Sequence, residues 1–318
     1  EYLLGLTGPE DTALIFNFAD KVRREYVGDG VFIRGIIEFS NFCRKSCFYC
    51  GLNKGNLGLK RYRMSAEEIL RGVSDIARAG VKTAVLQSGE SEEVDTSWLR
   101  EIIKEIKGRF DIAVTISVGE RNYSDYKIWK DAGADRYLLK IETSQKKLYD
   151  SLHAGSSFEK RLRCLEYLRC LGYEVGSGNI VGLKGQTMSS IAEDIIFFKK
   201  EDFDMIGISP FIPHPETELA GEAKGAAEAA LKVLALTRIV TKNTNLPATT
   251  ALGSMEKDFR IDGLKAGANV LMPNFTPAKY RRLYEIYPGK RCLYKPAVGA
   301  HRFIDYSKGG RRYAEYAA

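Results

Sequence analysis

Eight times along this chain a short apolar run is followed by an amphipathic segment, and few folds accommodate that pattern. The strand-like runs are Val31–Phe39, Lys82–Gln87, Ile112–Ser117, Arg136–Ile141, Glu174–Ile180, Met205–Ser209, Ala248–Ala251 and Asn269–Met272. Helical periodicity appears near Ala66–Ala79, Thr96–Lys107, Ser124–Ala132, Gln145–Leu152, Phe158–Leu171, Ser190–Lys200, Ala226–Thr241 and Lys257–Lys265. Strands that alternate with helices pair in parallel, because each helix returns the chain to the same edge. Eight such units predict a complete (β/α)8 barrel of TIM type. Ser65 before Glu67 and Glu68 reads as a helix N-cap, and Gly80, Gly133, Gly172 and Gly267 stand where C′ residues belong. The expected layout is one domain over 1–318: a helical lead-in (1–30), the barrel (about 31–274) and a C-terminal extension (275–318).

A length of 318 residues, 44% hydrophobic and 28% charged, fits one such barrel in a soluble protein. No apolar run reaches membrane-spanning length and no leader pattern opens the chain, so no membrane partner is expected. Of six cysteines three are clustered, while Cys164, Cys170 and Cys292 are scattered. That is not a disulfide framework; it points to a reducing cytoplasm and to metal chemistry. Cys164 and Cys170, on different helix faces, read as structural. The net charge of +7 gathers partly in a basic C-terminal tail, from Lys290 and Arg291 through Lys295, Arg302, Lys308, Arg311 and Arg312. With no nucleic-acid module in the sequence, nucleic acid is not an expected partner.

In such a barrel the chemistry sits at the C-terminal ends of the strands. Polar residues collect there: Gln87-Ser-Gly-Glu90, Ser117, Gly119 and Glu120, Lys140-Ile-Glu-Thr143, Ser177 and Asn179, Ser209 to His214, Thr249 and Thr250, and Met272-Pro-Asn274. After the first strand come Cys43, Cys47 and Cys50, spaced Cys-x3-Cys-x2-Cys. Three thiolates can hold three irons of a 4Fe–4S cluster and leave the fourth iron free to bind a small molecule. Structural zinc usually takes a fourth ligand nearby, and none follows. A packed helical stripe is the other alternative, but Arg44, Lys45, Ser46 and the glycines after Cys50 read as loop. No Ser–His or Cys–His pairing is evident, and there is no P-loop. Gly176-Ser-Gly178 and Gly182-Leu-Lys-Gly185 are too loose for a dinucleotide fingerprint and are expected to let backbone approach a ligand.

The cysteine motif with Tyr49 before its last member resembles the signature of radical S-adenosylmethionine (SAM) enzymes. Further segments, among them Lys60-Arg-Tyr-Arg-Met64, Leu86-Gln-Ser-Gly-Glu90, Pro210-Phe-Ile-Pro-His-Pro215, Pro247-Ala-Thr-Thr-Ala251 and Ala268 to Asn274, are similar to the HydE family of FeFe-hydrogenase maturases. The resemblance runs from about residue 31 to 290. It implies one 4Fe–4S cluster on Cys43, Cys47 and Cys50, and SAM chelated to the open iron and cleaved to a 5′-deoxyadenosyl radical. It places Tyr49, Gly89, Glu90, Ser117, Glu142 and Arg161 around SAM, and Gln87, Lys140, Thr249, Thr250, Met272 and Tyr284 around the substrate.

The implied substrate is a small thiol- or cysteine-containing molecule or organometallic iron species. The implied partners are an electron donor such as a ferredoxin or flavodoxin, and other maturation proteins. Two departures stand out. Family members carry Arg-His-Glu-Thr where this chain has Lys140-Ile-Glu-Thr143, and a point charge does not replace a planar fork. Of three cysteines that bind an accessory cluster in some members, only Cys292 is kept, with Ala300 and Phe303 at the other positions, so no second cluster is expected. The alternatives are a HydE-like paralogue with another small substrate, and an iron–sulfur carrier without radical catalysis.

Overall fold

The computed structural model describes residues 1–293; residues 294–318, with Ala300, Phe303 and most of the basic tail, lie outside the described residues. Helices α1 (Tyr2–Gly5) and α2 (Pro9–Val27) lead into β1 (Phe32–Ile33), β2 (Gly35–Ser40) and, within the cysteine loop, β3 (Ser46–Cys47). There follow α3 (Ala66–Arg78), β4 (Thr83–Ser88), α4 (Thr96–Arg109), β5 (Ala113–Ser117), α5 (Tyr123–Asp131) and β6 (Arg136–Leu138). Next come α6 (Lys146–Leu152), β7 (His153–Ala154), α7 (Phe158–Cys170), β8 (Glu174–Val181), α8 (Met188–Lys200) and β9 (Met205–Pro210). The described chain ends with α9 (Ala227–Thr241), α10 (Thr250–Gly253), α11 (Arg260–Lys265), β10 (Val270–Leu271) and α12 (Ala278–Arg281).

Local sequence explains these boundaries. Ser65 Oγ accepts from Glu68 N (3.2 Å) while Glu68 Oε2 accepts from Ser65 N (3.0 Å), a reciprocal box that starts α3. Its apolar positions Ile69, Leu70, Val73 and Ile76 share one buried face. The four expected C′ glycines, Gly80, Gly133, Gly172 and Gly267, all have positive φ.

Six strands form one parallel sheet in the order β2-β4-β5-β6-β8-β9. Separately, β1 pairs in parallel with β10, and bridges join Ile36 to Asn274, Met205 to Asn245 and Pro247 to Val270. The main core lies between sheet and helices: Ile37, Leu86, Val114 and Ile116 from the strands meet Val73, Ile76, Leu99, Ile103 and Ile106 from the helices. This is a TIM-type α/β fold.

One sequence expectation needs correction. Ala248–Ala251 is not a strand. The bridge to β10 is made at Pro247, and Thr249, still extended, caps α10 by accepting from Leu252 N (3.4 Å), so the run turns helical at Thr250. Of the glycines after α7, Gly178 and Gly182 are required by close packing within the fold. A Cβ on Gly178 (φ 153°) would stand 2.0 Å from Gly207 O on the neighbouring strand, and one on Gly182 2.6 Å from Gly225 Cα. No helix among the described residues is long and apolar enough to cross a membrane.

Candidate active site

The cysteine loop is fastened at both ends and in the middle. Arg44 N donates to Glu90 O (2.7 Å), and Ser46 and Cys47 pair antiparallel with Ala154 and His153. Phe48 N then donates to Leu152 O (3.0 Å), and Gly51 N to Ile286 O (2.9 Å). Gly89 is what allows the loop its position, since a Cβ there would lie 2.3 Å from Phe42 O and 2.9 Å from Cys43 Cβ. Gly51 plays the same part beneath Cys50, with Glu285 O at 2.3 Å.

Beside Cys50 opens a cavity of about 270 Å³ at the C-terminal ends of the strands. Of the residues singled out from sequence it gathers Tyr49, Cys50, Gln87, Glu90, Ser117, Lys140, Glu142 and Arg161 into its wall. Cys43, Cys47 and Gly89 stand behind it in and against the loop. Thr249, Thr250, Met272 and Tyr284 do not line it. Thr249 donates to Ile208 O (3.2 Å) besides capping α10, and Met272 is half-buried. Tyr284 is fully buried, and its hydroxyl accepts from Gln87 Nε2 (3.1 Å), so it touches the cavity wall from outside.

Charge in the wall is tightly matched. Glu120, fully buried, faces Lys45 Nζ at 2.9 Å and Arg161 Nε at 2.9 Å. Burial works against its charge, but Arg161 and Lys45 outweigh that and hold the carboxyl below the usual range. Glu90 faces Lys45 at 3.1 Å and Arg161 at 3.8 Å, and its Oε2 accepts from Glu120 N (3.0 Å). Arg161 is no solvated helix residue: its side chain is 11% exposed and also donates to Lys140 O (2.7 Å).

Glu142 sits at φ 64°, a conformation costing a non-glycine residue about 1–3 kcal/mol. Asp194, fully buried on α8, holds this turn by accepting from Ser144 N (2.6 Å), Ser144 Oγ (2.7 Å) and Asn179 Nδ2 (2.9 Å). Glu142 Oε2 lies 3.0 Å from Lys140 Nζ, yet the approach lacks hydrogen-bond geometry, and this oxygen is buried without a hydrogen-bond partner. Asn179 Oδ1 is likewise unpartnered. Asn179 does not line the cavity; the Glu142 oxygen belongs to its wall, where an orphaned acceptor fits a site that receives a donor from a ligand.

The three thiols suit a cationic metal cluster. Burial pushes each of them up, joined at Cys47 and Cys50 by the neighbouring cysteines, so that Cys47 reaches about 12, and holding all three as thiolates takes positive charge among them. Among the described residues no three Cys, His, Asp or Glu converge closely enough to share one metal ion. A cubane, with its irons at separate corners, makes no such demand.

His153 carries no role in the sequence reading, because nothing local marks it. It packs flat against Tyr149, and its Nδ1 lies 2.7 Å from Tyr149 O, a group that can only accept, so Nδ1 carries the proton. Nε2 therefore accepts from Tyr49 OH at 2.7 Å. Burial lowers its pKa to about 4, which keeps this arrangement neutral and fixes Tyr49 between Cys47 and Cys50. Lys45 and Glu120 also escape assignment from sequence, since their pairing bridges different loops.

Residues 37–198 match the family model described as the radical SAM superfamily, which defines the class: enzymes that use a 4Fe–4S cluster and SAM. The chain is 52% identical over 281 residues, 88% of its length and 80% of the relative's, to the [FeFe] hydrogenase maturase subunit HydE of Thermotoga maritima. It is 29% identical to 3-methylornithine synthase of Methanosarcina acetivorans, over 85% of this chain and 76% of that one. The crystal structure of methylornithine synthase (PylB) superposes with a TM-score of 0.80 at 26% identity, covering 98% of this chain and 87% of that chain. This chain belongs to the HydE family within the radical SAM enzymes.

Proposed function

We propose that this chain is a cytoplasmic maturase that works on a small sulfur-containing precursor of the FeFe-hydrogenase diiron cofactor. The observation that carries the reading is the 52% identity to a HydE over 88% of the chain, joined to a cavity that puts Cys50, Glu90, Glu142 and Arg161 in one wall. The bridges at Met205, Pro247 and Ile36 support a ring of eight strands, read here as a complete single-domain barrel around the substrate.

When bound and reduced, the cluster would supply the one electron that splits SAM into methionine and a 5′-deoxyadenosyl radical, the species proposed to react at the substrate sulfur. The chain's own residues bind and orient. Cys43, Cys47 and Cys50 hold the cluster. Glu90, with Gly89 beside it, faces the methionine ammonium, Arg161 the carboxylate, and Ser117 and Glu142 offer polar contacts to the remainder. Tyr49, fixed by His153, flanks the adenine. Gln87 and Lys140 bound the substrate side, Tyr284 backs Gln87, and Thr249, Thr250 and Met272 stand outside this cavity. An electron donor and a small-molecule substrate complete the reaction.

A second reading is a HydE-like paralogue acting on an amino acid. It draws on Lys140-Ile141 and on the likeness to methylornithine synthase. Complementation of a strain lacking its own HydE separates the two. Restored hydrogenase activity supports maturation. No restoration by a variant-free protein that loads its cluster and cleaves SAM would reject it in favour of the paralogue.

A further inference from the structure

Between Asn41 and Ala66 the chain carries six cations (Arg44, Lys45, Lys54, Lys60, Arg61 and Arg63) and no Asp or Glu. Four of them are occupied. Arg44 pairs with Glu90 and Glu92, Lys45 with Glu90 and Glu120, and Arg63 with Glu93. Arg61 donates to the carbonyls of Asn41 (2.7 Å), Leu52 (2.9 Å), Asn53 (2.8 Å) and Asn56 (3.3 Å). Lys54 and Lys60 are exposed and have no carboxylate partner among the described residues. Between them stands Leu57, 92% exposed, the most open large apolar side chain among the described residues.

This is not a slack loop tip. Asn53 Nδ2 donates to Cys50 O (2.8 Å) while its Oδ1 accepts from Gly55 N (2.8 Å) and Asn56 N (3.1 Å). Asn56, buried, donates to Gly51 O (2.8 Å), and Lys54 N donates to Lys45 O (2.8 Å). An internally braced segment bonded to the carbonyl of Cys50 thus presents one apolar side chain flanked by two ammonium groups that have no carboxylate partner among the described residues. A lone exposed leucine needs no explanation by itself. Here it is combined with uncompensated positive charge and a covalent path of seven residues to Cys50.

We propose that the segment Gly51–Lys60 is the docking surface for an acidic one-electron carrier protein. Leu57 is the apolar centre of the contact, and Lys54 and Lys60 meet carboxylates at its rim, which steers encounter and sets orientation. The carrier gives up one electron and is oxidised by one; the cluster beside Cys50 takes it up, and no bond or proton moves. The inference rests on the radical SAM chemistry of the family.

The test uses the reconstituted holoenzyme, Leu57→Ala and the pair Lys54→Glu/Lys60→Glu, with reduced flavodoxin as the acidic carrier and dithionite as a small reductant. Cluster content and thermal midpoint should match the parent. With flavodoxin, KM for the carrier should rise about tenfold at little-changed kcat, and its directly titrated affinity should weaken by a similar factor and lose salt dependence. 5′-Deoxyadenosine formation with dithionite should be unchanged. Unaltered flavodoxin kinetics and binding would overturn the proposal, as would an equal loss with both reductants. Were the parent unable to cleave SAM with dithionite, the radical chemistry would fail and take the docking role with it.

Discussion

Glu120 holds Lys45 and Arg161 in place from a position that solvent does not reach, so its charge cannot be removed quietly. Glu120→Gln leaves Lys45 and Arg161 to share Glu90 with Arg44, and breaking a buried ion pair from one side typically costs about 3–5 kcal/mol. Denaturant unfolding of the cluster-free protein should show a loss in that range; a change below about 1 kcal/mol would mean that solvent screens the trio after all. Arg161→Lys asks a different question. It keeps the charge but loses the fork that reaches both Glu120 and Lys140 O, and with it a two-point grip on a carboxylate. SAM should bind roughly tenfold more weakly by calorimetry. Undiminished affinity would move the carboxylate contact elsewhere.

At the scale of elements, the cysteine loop is shaped as much by what it leans on as by its own sequence. Gly89→Ala places a methyl against Phe42 O and Cys43 Cβ, and the loop rather than β4 should give way, because β4 is paired on both sides. The variant should fold yet bind well under half the parent's iron on anaerobic reconstitution, whereas Gly108→Ala, with nothing within 4 Å, should load normally. Full iron content in Gly89→Ala would contradict this account of the loop. The cysteine motif, the strand-end polar residues from Gln87 to Glu142 that line the cavity, and seven of the eight apolar runs were legible in the sequence, since each depends on near neighbours and periodicity. The run at Ala248–Ala251 was not, because Thr249 capping α10 outweighs the strand propensity of two threonines. His153 and Lys45–Glu120 were invisible for another reason: their roles exist only once β7 lies against β3 and distant loops meet.

The whole molecule is drawn together where the first strand meets the last. Glu38 on β2 accepts from Lys290 Nζ (2.7 Å) and from Asn274 Nδ2 (2.9 Å), and both charged side chains are 6% exposed. Lys290→Ala strands a buried carboxylate and should destabilise the protein by about 3 kcal/mol or more. The double variant Glu38→Gln/Lys290→Met should recover most of the loss, because no unpaired charge then remains; a double variant as unstable as the single would locate the effect in packing. The same junction carries the segment Tyr284–Tyr287 across to Gly51, so the C-terminal part of the chain supports the cluster loop as well as the sheet.

Cys43, Cys47 and Cys50 are proposed to bind a 4Fe–4S cluster whose fourth iron is left to SAM. Electron–nuclear double resonance on the reduced, anaerobically reconstituted protein, with SAM carrying 15N in its amino group and 17O in its carboxylate, addresses this directly. The account predicts hyperfine coupling of both labels to the cluster. A cluster spectrum that SAM leaves untouched, or a fourth protein ligand found on that iron, would contradict it.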